Sequence, residues 1–397
     1  MSQTMSFSPA AAADGVERRR LIDPLVRLGR TPSENPPGDE AEASALVASY
    51  CEELGLEVER HEAVPGRPNV VARLRGSEEG PTLTYCSHID VVPAGEHALW
   101  EHDPYSADIA AGRMHGRGSG DAKGPVAAAL EAVAVLKEAE VPLAGVLELA
   151  LVADEETMGF CGAGALVEEG ILRPDYAIVG EPTSLRVVHA QRGACWMRVT
   201  TSGRAGHGSA PERGVSAIKH MAEIILQLEG ALPDVSHPVL GGPSINVGVI
   251  SGGAKVNIVP ASCTVEIDRR SVPPETEASV IASVEEAIER ARARFEDIDA
   301  SVEMTFYGEP FEVNEDSEVV RAMSRATEQA CGRPAELMGF RGASDARFLA
   351  AAGAEVIICG PGDITLAHTA RESVDLDEVE RAAVAYALAF ADLLSPR

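Results

Sequence analysis

The run GVLELALVA, residues 145–153, is apolar at almost every position. A strand with one face in water alternates polar and apolar residues, whereas this one leaves no face for solvent. It fits a strand covered on both sides. Such strands belong to largely parallel sheets flanked by helices, which restricts the chain to an α/β architecture. The run then stops at three consecutive acids, Asp154, Glu155 and Glu156. Like charges crowded at a buried strand end repel, so the fold has to supply something that makes them tolerable.

The rest of the chain fits that frame. NVVARL, TLTYCSHID, DYAIVG and AEVIICG read as strands, and an alanine-rich helix is expected over about 125–139. The C-terminal DLDEVERAAVAYALAFADLL reads as a long amphipathic helix. Between HAQRGACWMRVTTSG and about residue 306 the texture changes to half-buried strands with helices. Their order is strand, helix, two strands, helix, strand, as in a ferredoxin-like α+β unit. The expectation is one α/β domain, residues 1–191 and 309–397, with a second domain, residues 192–308, inserted. Aromatics are only 4% of the residues, so the core must be aliphatic and alanine-based.

A formal charge of -28 opposes non-specific nucleic-acid binding and attraction to anionic membranes. Seven cysteines are scattered without CxxC spacing, as in a reducing compartment. Residues 1–15 lack a basic start followed by an apolar run, and no stretch is apolar enough to cross a bilayer. A cytoplasmic protein is expected.

Five short stretches could carry chemistry. In SHIDVVP, His88 and Asp90 lie two apart at a strand end and share a side if the segment is extended. A carboxylate beside an imidazole fixes its tautomer, as metal-bound histidines require. In HGRGSGDAKGPV, Asp121 stands before a helix that opens with Pro125. Helix capping alone would explain it. A phosphate loop does not fit, because GxxxxGK[ST] is missing. Glu155 and Glu156 follow the buried run, Glu181 follows DYAIVG, and His368 lies in a Gly/Pro-rich loop before the last helix. Ligands of α/β sheets bind beyond the carboxyl ends of the strands, where these loops can meet. Two imidazoles and several carboxylates without cysteine suit zinc, manganese or cobalt. The number suffices for two divalent ions sharing a bridging carboxylate, which would also relieve the repulsion.

With these motifs in this order, the chain resembles the di-metal aminoacylase/carboxypeptidase family of metallopeptidases. The branch it favours is that of acetylornithine deacetylase and succinyl-diaminopimelate desuccinylase. The likeness rests on SHIDVVP, PYSADIAAGRMHGRGSGDAKG, ADEETMG, VGEPT, GRAGHGSAPERGVSAI, VNIVPASCTVEIDRR, RGASDARF and HTARESVDLDEV. It implies a zinc-exopeptidase-like catalytic domain, with a central mixed sheet flanked by helices, and an inserted lid and dimerisation domain. By resemblance, His88 and Glu181 hold one metal, Glu156 and His368 the other, and Asp121 bridges them across a cis Asp121–Ala122 peptide. Asp90 orients His88, and Glu155 stays unligated as general base. His207 hydrogen-bonds the developing oxyanion, with the partner subunit as one source of that histidine. Arg270 and Asn257 contact substrate, and the GASD loop, Gly342–Asp345 with Gly342 and Ser344, supplies backbone donors to its carboxylate. Zinc is the family default. Ser87 stands where glycine is usual and GDAKGP where DMKGG is usual, without loss of a ligand.

The expected activity is hydrolysis of the amide bond of an N-acyl amino acid by a homodimer. The alternatives on the same frame are a carboxypeptidase or dipeptidase, and a deformylase or carbamoyl amidohydrolase. A silent metal-binding or interaction protein is disfavoured because every ligand position, the base and Asp90 are filled.

Overall fold

A computed structural model describes residues 7–396. The start of the stretch read above for an export signal lies outside them. Contacts divide the chain into two compact units. The first takes residues up to His189, then Val313–Met338 and Ser344 onward; the second takes Ala190–Glu312 and Gly339–Ala343.

The principal strands of the two main sheets are, in chain order, β1 (Glu57–His61), β2 (Asn69–Arg75), β3 (Glu78–His88), β4 (Ala144–Val152), β5 (Tyr176–Val179), β6 (Val187–Gln191), β7 (Gly193–Ser202), β8 (Ser244–Gly252), β9 (Ser262–Ser271), β10 (Asp299–Gly308) and β11 (Glu355–Ile358); two short strands, Phe311–Glu312 and Leu337–Phe340, add to the first sheet beside β6. In the first unit they run in the order β1-β2-β4-β3-β5-β11-β6. The central four are parallel to one another, while β1, β2 and β6 pair antiparallel, so the sheet is mixed. The apolar run is β4, buried from Leu147 onward and placed next to the centre of the sheet.

Helix α1 (Gly124–Glu138) is buried at every position from Gly124 to Leu136. Its alanines allow it to lie against the sheet, and a helix that is apolar all round must be covered all round. The cover includes the C-terminal helix α4 (Leu376–Leu393), whose first turn is capped by the Asp375 carboxylate. Tyr85 of β3, Tyr386 and Phe390 pack edge-on and stacked at 5.0–6.0 Å between these layers.

The second unit has an antiparallel sheet in the order β8-β9-β7-β10, with helices α2 (Ala217–Leu228) and α3 (Glu277–Arg292) over its buried side. The connectivity β7-α2-β8-β9-α3-β10 is the α+β order expected. Strand β8 is an edge strand, and Val249 and Ile250 are 53% and 58% exposed. All seven cysteines are free thiols. Among the described residues no helix is long and apolar enough to cross a membrane.

Candidate metal centre

Parallel pairing puts three strand ends side by side. His88 closes β3 opposite Val152, the last residue of β4, and Cys86 pairs with Val179, the last residue of β5. The acid turn and Glu181 therefore emerge next to His88. Gly180 is required between β5 and Glu181: a Cβ there would lie 2.0 Å from the Tyr85 hydroxyl. Asp121 comes from the turn before α1 and is joined to Ala122 by a cis peptide. His368 comes from the loop between β11 and α4, with φ +60°.

Two groups of donor atoms result, each lying within 4.8 Å: His88, Asp121 and Glu181, and Asp121, Glu156 and His368. Asp121 belongs to both. Its Oδ1 is 3.0 Å from His88 Nε2, and its Oδ2 is 3.4 Å from His368 Nε2. Glu181 Oε1 lies 4.0 Å from His88 Nε2, and Glu156 Oε2 lies 3.1 Å from His368 Nε2. The first group is buried, while the His368 side chain is 54% exposed.

The electrostatics show the repulsion inferred from the sequence. Desolvation, then the Glu181 charge, push Glu155 well above the usual carboxylate range. Glu181 is pushed well up by desolvation first, against the pull of His88. Desolvation alone would lower His88, but Asp121, Asp90 and Glu181 together raise it well above its ordinary value. Desolvation opposes the charge on Asp121, yet the two imidazoles hold it below its ordinary value. Glu181 Oε1 is buried without a hydrogen-bond partner among the described residues. An acid-rich pair of donor groups, imidazole and carboxylate without thiolate, fits two divalent cations.

The three acids of the turn have separate surroundings. Asp154 has φ +74°, and its carboxylate accepts from Arg67 (2.8 Å), the Thr157 hydroxyl (2.6 Å) and the Cys161 amide (3.0 Å). It holds the turn in shape. Glu156 faces His368. Glu155 is half-buried and belongs to neither donor group. Asp90 reaches the site in two ways. Its backbone carbonyl accepts from His88 Nδ1 at 2.9 Å, with one carboxylate oxygen 3.5 Å from the same nitrogen. That carboxylate also accepts the amides of Glu155 (3.2 Å) and Glu156 (3.1 Å).

The remaining sequence candidates lie apart from this cluster in the chain. In the second unit His207 is exposed, and its Nδ1 accepts the Ser209 amide at 3.2 Å. A neutral ring that accepts at Nδ1 carries its proton on Nε2, ready to donate. Asn257 is exposed, and its carbonyl receives the Gly208 amide at 2.9 Å. Arg270 makes a two-point pair with Asp268 at 2.9 and 3.0 Å. Gly342 falls in the second unit, whereas Ser344 is buried in the first, where its hydroxyl receives the Ala346 amide at 3.3 Å.

Several residues were not singled out from sequence. Asn35 Nδ2 donates to Asp90 Oδ2 and to Thr157 Oγ1, both at 2.8 Å. Arg67 links Asp154 to buried Glu40. Glu372 is buried and paired with Arg117. The one available signal was position, since Glu372 follows His368 by four residues in HTARE.

Residues 85–392 match the family model described as peptidase family M20/M25/M40. The acetylornithine deacetylase of Myxococcus xanthus is 32% identical over 364 residues, covering 89% of each chain. The succinyl-diaminopimelate desuccinylase of Hydrogenovibrio crunogenus is 28% identical, covering 90% of this chain and 95% of its own. The crystal structure of aminopeptidase PepT from Bacillus cereus superposes with a TM-score of 0.79 at 26% identity, over 95% of this chain and 99% of that one.

Proposed function

This chain belongs to peptidase family M20/M25/M40 and is a hydrolase of amide bonds, and from that premise we propose that its substrates are N-acyl amino acids. The observation that carries the reading is Asp121, one oxygen turned to each donor group, with Glu155 beside them and outside both. His88 and Glu181 would hold one divalent ion and Glu156 and His368 the other, with Asp121 shared. Zinc suits these donors best, and cobalt or manganese is compatible. When bound, such ions supply Lewis acidity toward the amide carbonyl and the attacking water.

The residues do the rest. Glu155 takes a proton from the attacking water as its oxygen bonds to the amide carbon. The C–N bond then breaks, and Glu155 returns that proton to the leaving nitrogen, giving an amine and a carboxylic acid, which releases its remaining proton to solvent and becomes a carboxylate. Desolvation favours this shuttling, because it brings a carboxylate closer to the proton affinity of its partners. Asp90 holds the amides of Glu155 and Glu156 and so fixes where base and ligand diverge. His207, with its proton on Nε2, donates to the developing oxyanion from its own or the partner subunit. Arg270 and the Gly342–Asp345 loop receive the substrate carboxylate, with Arg270 exchanging Asp268 for it, and Asn257 contacts the substrate.

The acyl specificity rests on the named deacetylase and desuccinylase relatives. The aminopeptidase structure favours a second reading, cleavage of short peptides on the same centre. The homodimer rests on the exposed apolar edge strand β8, a surface that pairs readily with a second copy. The test of the mechanism is Glu155→Gln in metal-loaded protein. Metal content should stay as in the wild type, while kcat falls by about 10² or more. Wild-type rates in that variant would end this assignment of the base.

A further inference from the structure

Glu372 is a member of neither donor group, yet it joins the chain segments that carry them. Its Oε1 receives the amides of Gly120 and Asp121, both at 3.3 Å. Its Oε2 is paired with Arg117, and both side chains are buried. The Arg117 guanidinium lies over the Trp100 ring at 5.1 Å, which fixes its plane. The Glu372 carbonyl also receives the Gly116 amide at 3.1 Å. Directly after it, Ser373 pairs with His115 in an antiparallel ladder. The stretch that follows His368 is thereby sewn to the stretch that precedes Asp121.

The two donor groups depend on this seam unequally. His88 and Glu181 are set by the ends of β3 and β5, strands in the middle of the sheet. His368 has no such support, because it stands in a loop and its side chain is 54% exposed. Its distance to Asp121 Oδ2 is set by how the two loops are joined. A glutamine at 372 could still accept the two amides, but its NH₂ would face the Arg117 donors. A carboxylate, with two accepting oxygens and no donor, lets one side chain serve both partners where an amide cannot.

We infer that Glu372 is a positioning residue for the Asp121–Glu156–His368 donor group, tying the His368 loop to the backbone of the shared aspartate. The inference rests on the two-ion reading above. The test is titration of the full-length, chelator-stripped protein with Co(II), followed by calorimetry and by the visible absorption of each equivalent. The wild type should take two equivalents. In Glu372→Gln one equivalent should bind as in the wild type and the other about tenfold or more weakly, the scale seen when partners of metal ligands are lost. Excess Co(II) should then restore the second absorption band. Arg117→Lys, which keeps the charge but loses the two-point geometry, should show the same selective loss in smaller degree. It carries the test if Glu372→Gln does not fold. Unchanged binding of both equivalents, or equal weakening of both, would overturn the inference. A wild type that takes fewer than two equivalents overturns the two-ion reading, and this inference with it.

Discussion

Arg67 holds the acid turn from below, and its removal has a calculable cost. Its Nη1 donates to Asp154 Oδ1 at 2.8 Å and its Nε to Glu40 Oε2 at 3.0 Å, with a further bond to Glu40 Oε1. The three side chains are 14%, 7% and 0% exposed. Arg67→Met keeps much of the bulk but leaves two buried carboxylates without their cation. Breaking a buried pair on one side costs about 3–5 kcal/mol. With an m-value of about 3 kcal/mol/M, that lowers the urea midpoint by about 1–1.7 M. The pH dependence follows from Asp154. Desolvation raises its carboxyl, but the Cys161 amide, the Thr157 hydroxyl and Arg67 outweigh it and hold it below its ordinary value. In the wild type that stabilisation is present above the unfolded pKa and lost as pH falls through the folded value. Without Arg67 the folded value rises, so ionised Asp154 becomes a cost that protonation relieves. The deficit of the variant should therefore shrink as pH falls from about 7 through the ordinary carboxylate range to about 4. Trp100 lies in the first unit and Trp196 in the second, and the chain has no other tryptophan. Urea unfolding followed by fluorescence in a Trp196→Phe background therefore reports the first unit. A midpoint within about 0.2 M of the parent, or a deficit equal at both pH values, would refute the reasoning.

Chelator-stripped protein should unfold at lower temperature than loaded protein, because ion binding at about 1,000 times Kd adds about 4 kcal/mol. The stripped protein should also lose stability as pH rises, since Glu155 and Glu181 have raised folded pKa values and their favourable protonated state is lost through them. Scanning calorimetry with and without metal checks both. Paired substitutions Val249→Lys and Ile250→Lys on β8 should convert a dimer to a monomer in light scattering while the first unit keeps its stability. An unchanged dimer would place the interface elsewhere.

How much of this was legible depended on distance along the chain. The buried run of β4 declared its own environment, because a strand without a polar face has few places to go. His88, Glu156 and Glu181 were legible because strand ends are local signals and parallel strands bring their ends together. Arg67, Asn35 and Glu372 were not. Each is an ordinary polar residue in a loop, and its importance comes from partners 87, 55 and 251 positions away. Asp154 is the instructive middle case. Its place beside Glu155 was visible, but its left-handed backbone and its bond to Arg67 could only be seen once the chain was folded. Arg270 was expected from its guanidinium to suit a carboxylate, and the carboxylate it meets in the structure is Asp268, two residues back on the same strand.

Cleavage of the acyl amide of amino acids at this centre is open to direct assay. The direct measurement is a hydrolysis screen of zinc-loaded protein against acetyl-, succinyl- and formyl-amino acids beside dipeptides and tripeptides, with amine release as the readout. The account predicts that an acyl-amino acid gives the highest kcat/KM and that Glu155→Gln abolishes that turnover. Peptides cleaved with acyl-amino acids untouched, or acyl cleavage that survives the loss of Glu155, would contradict it.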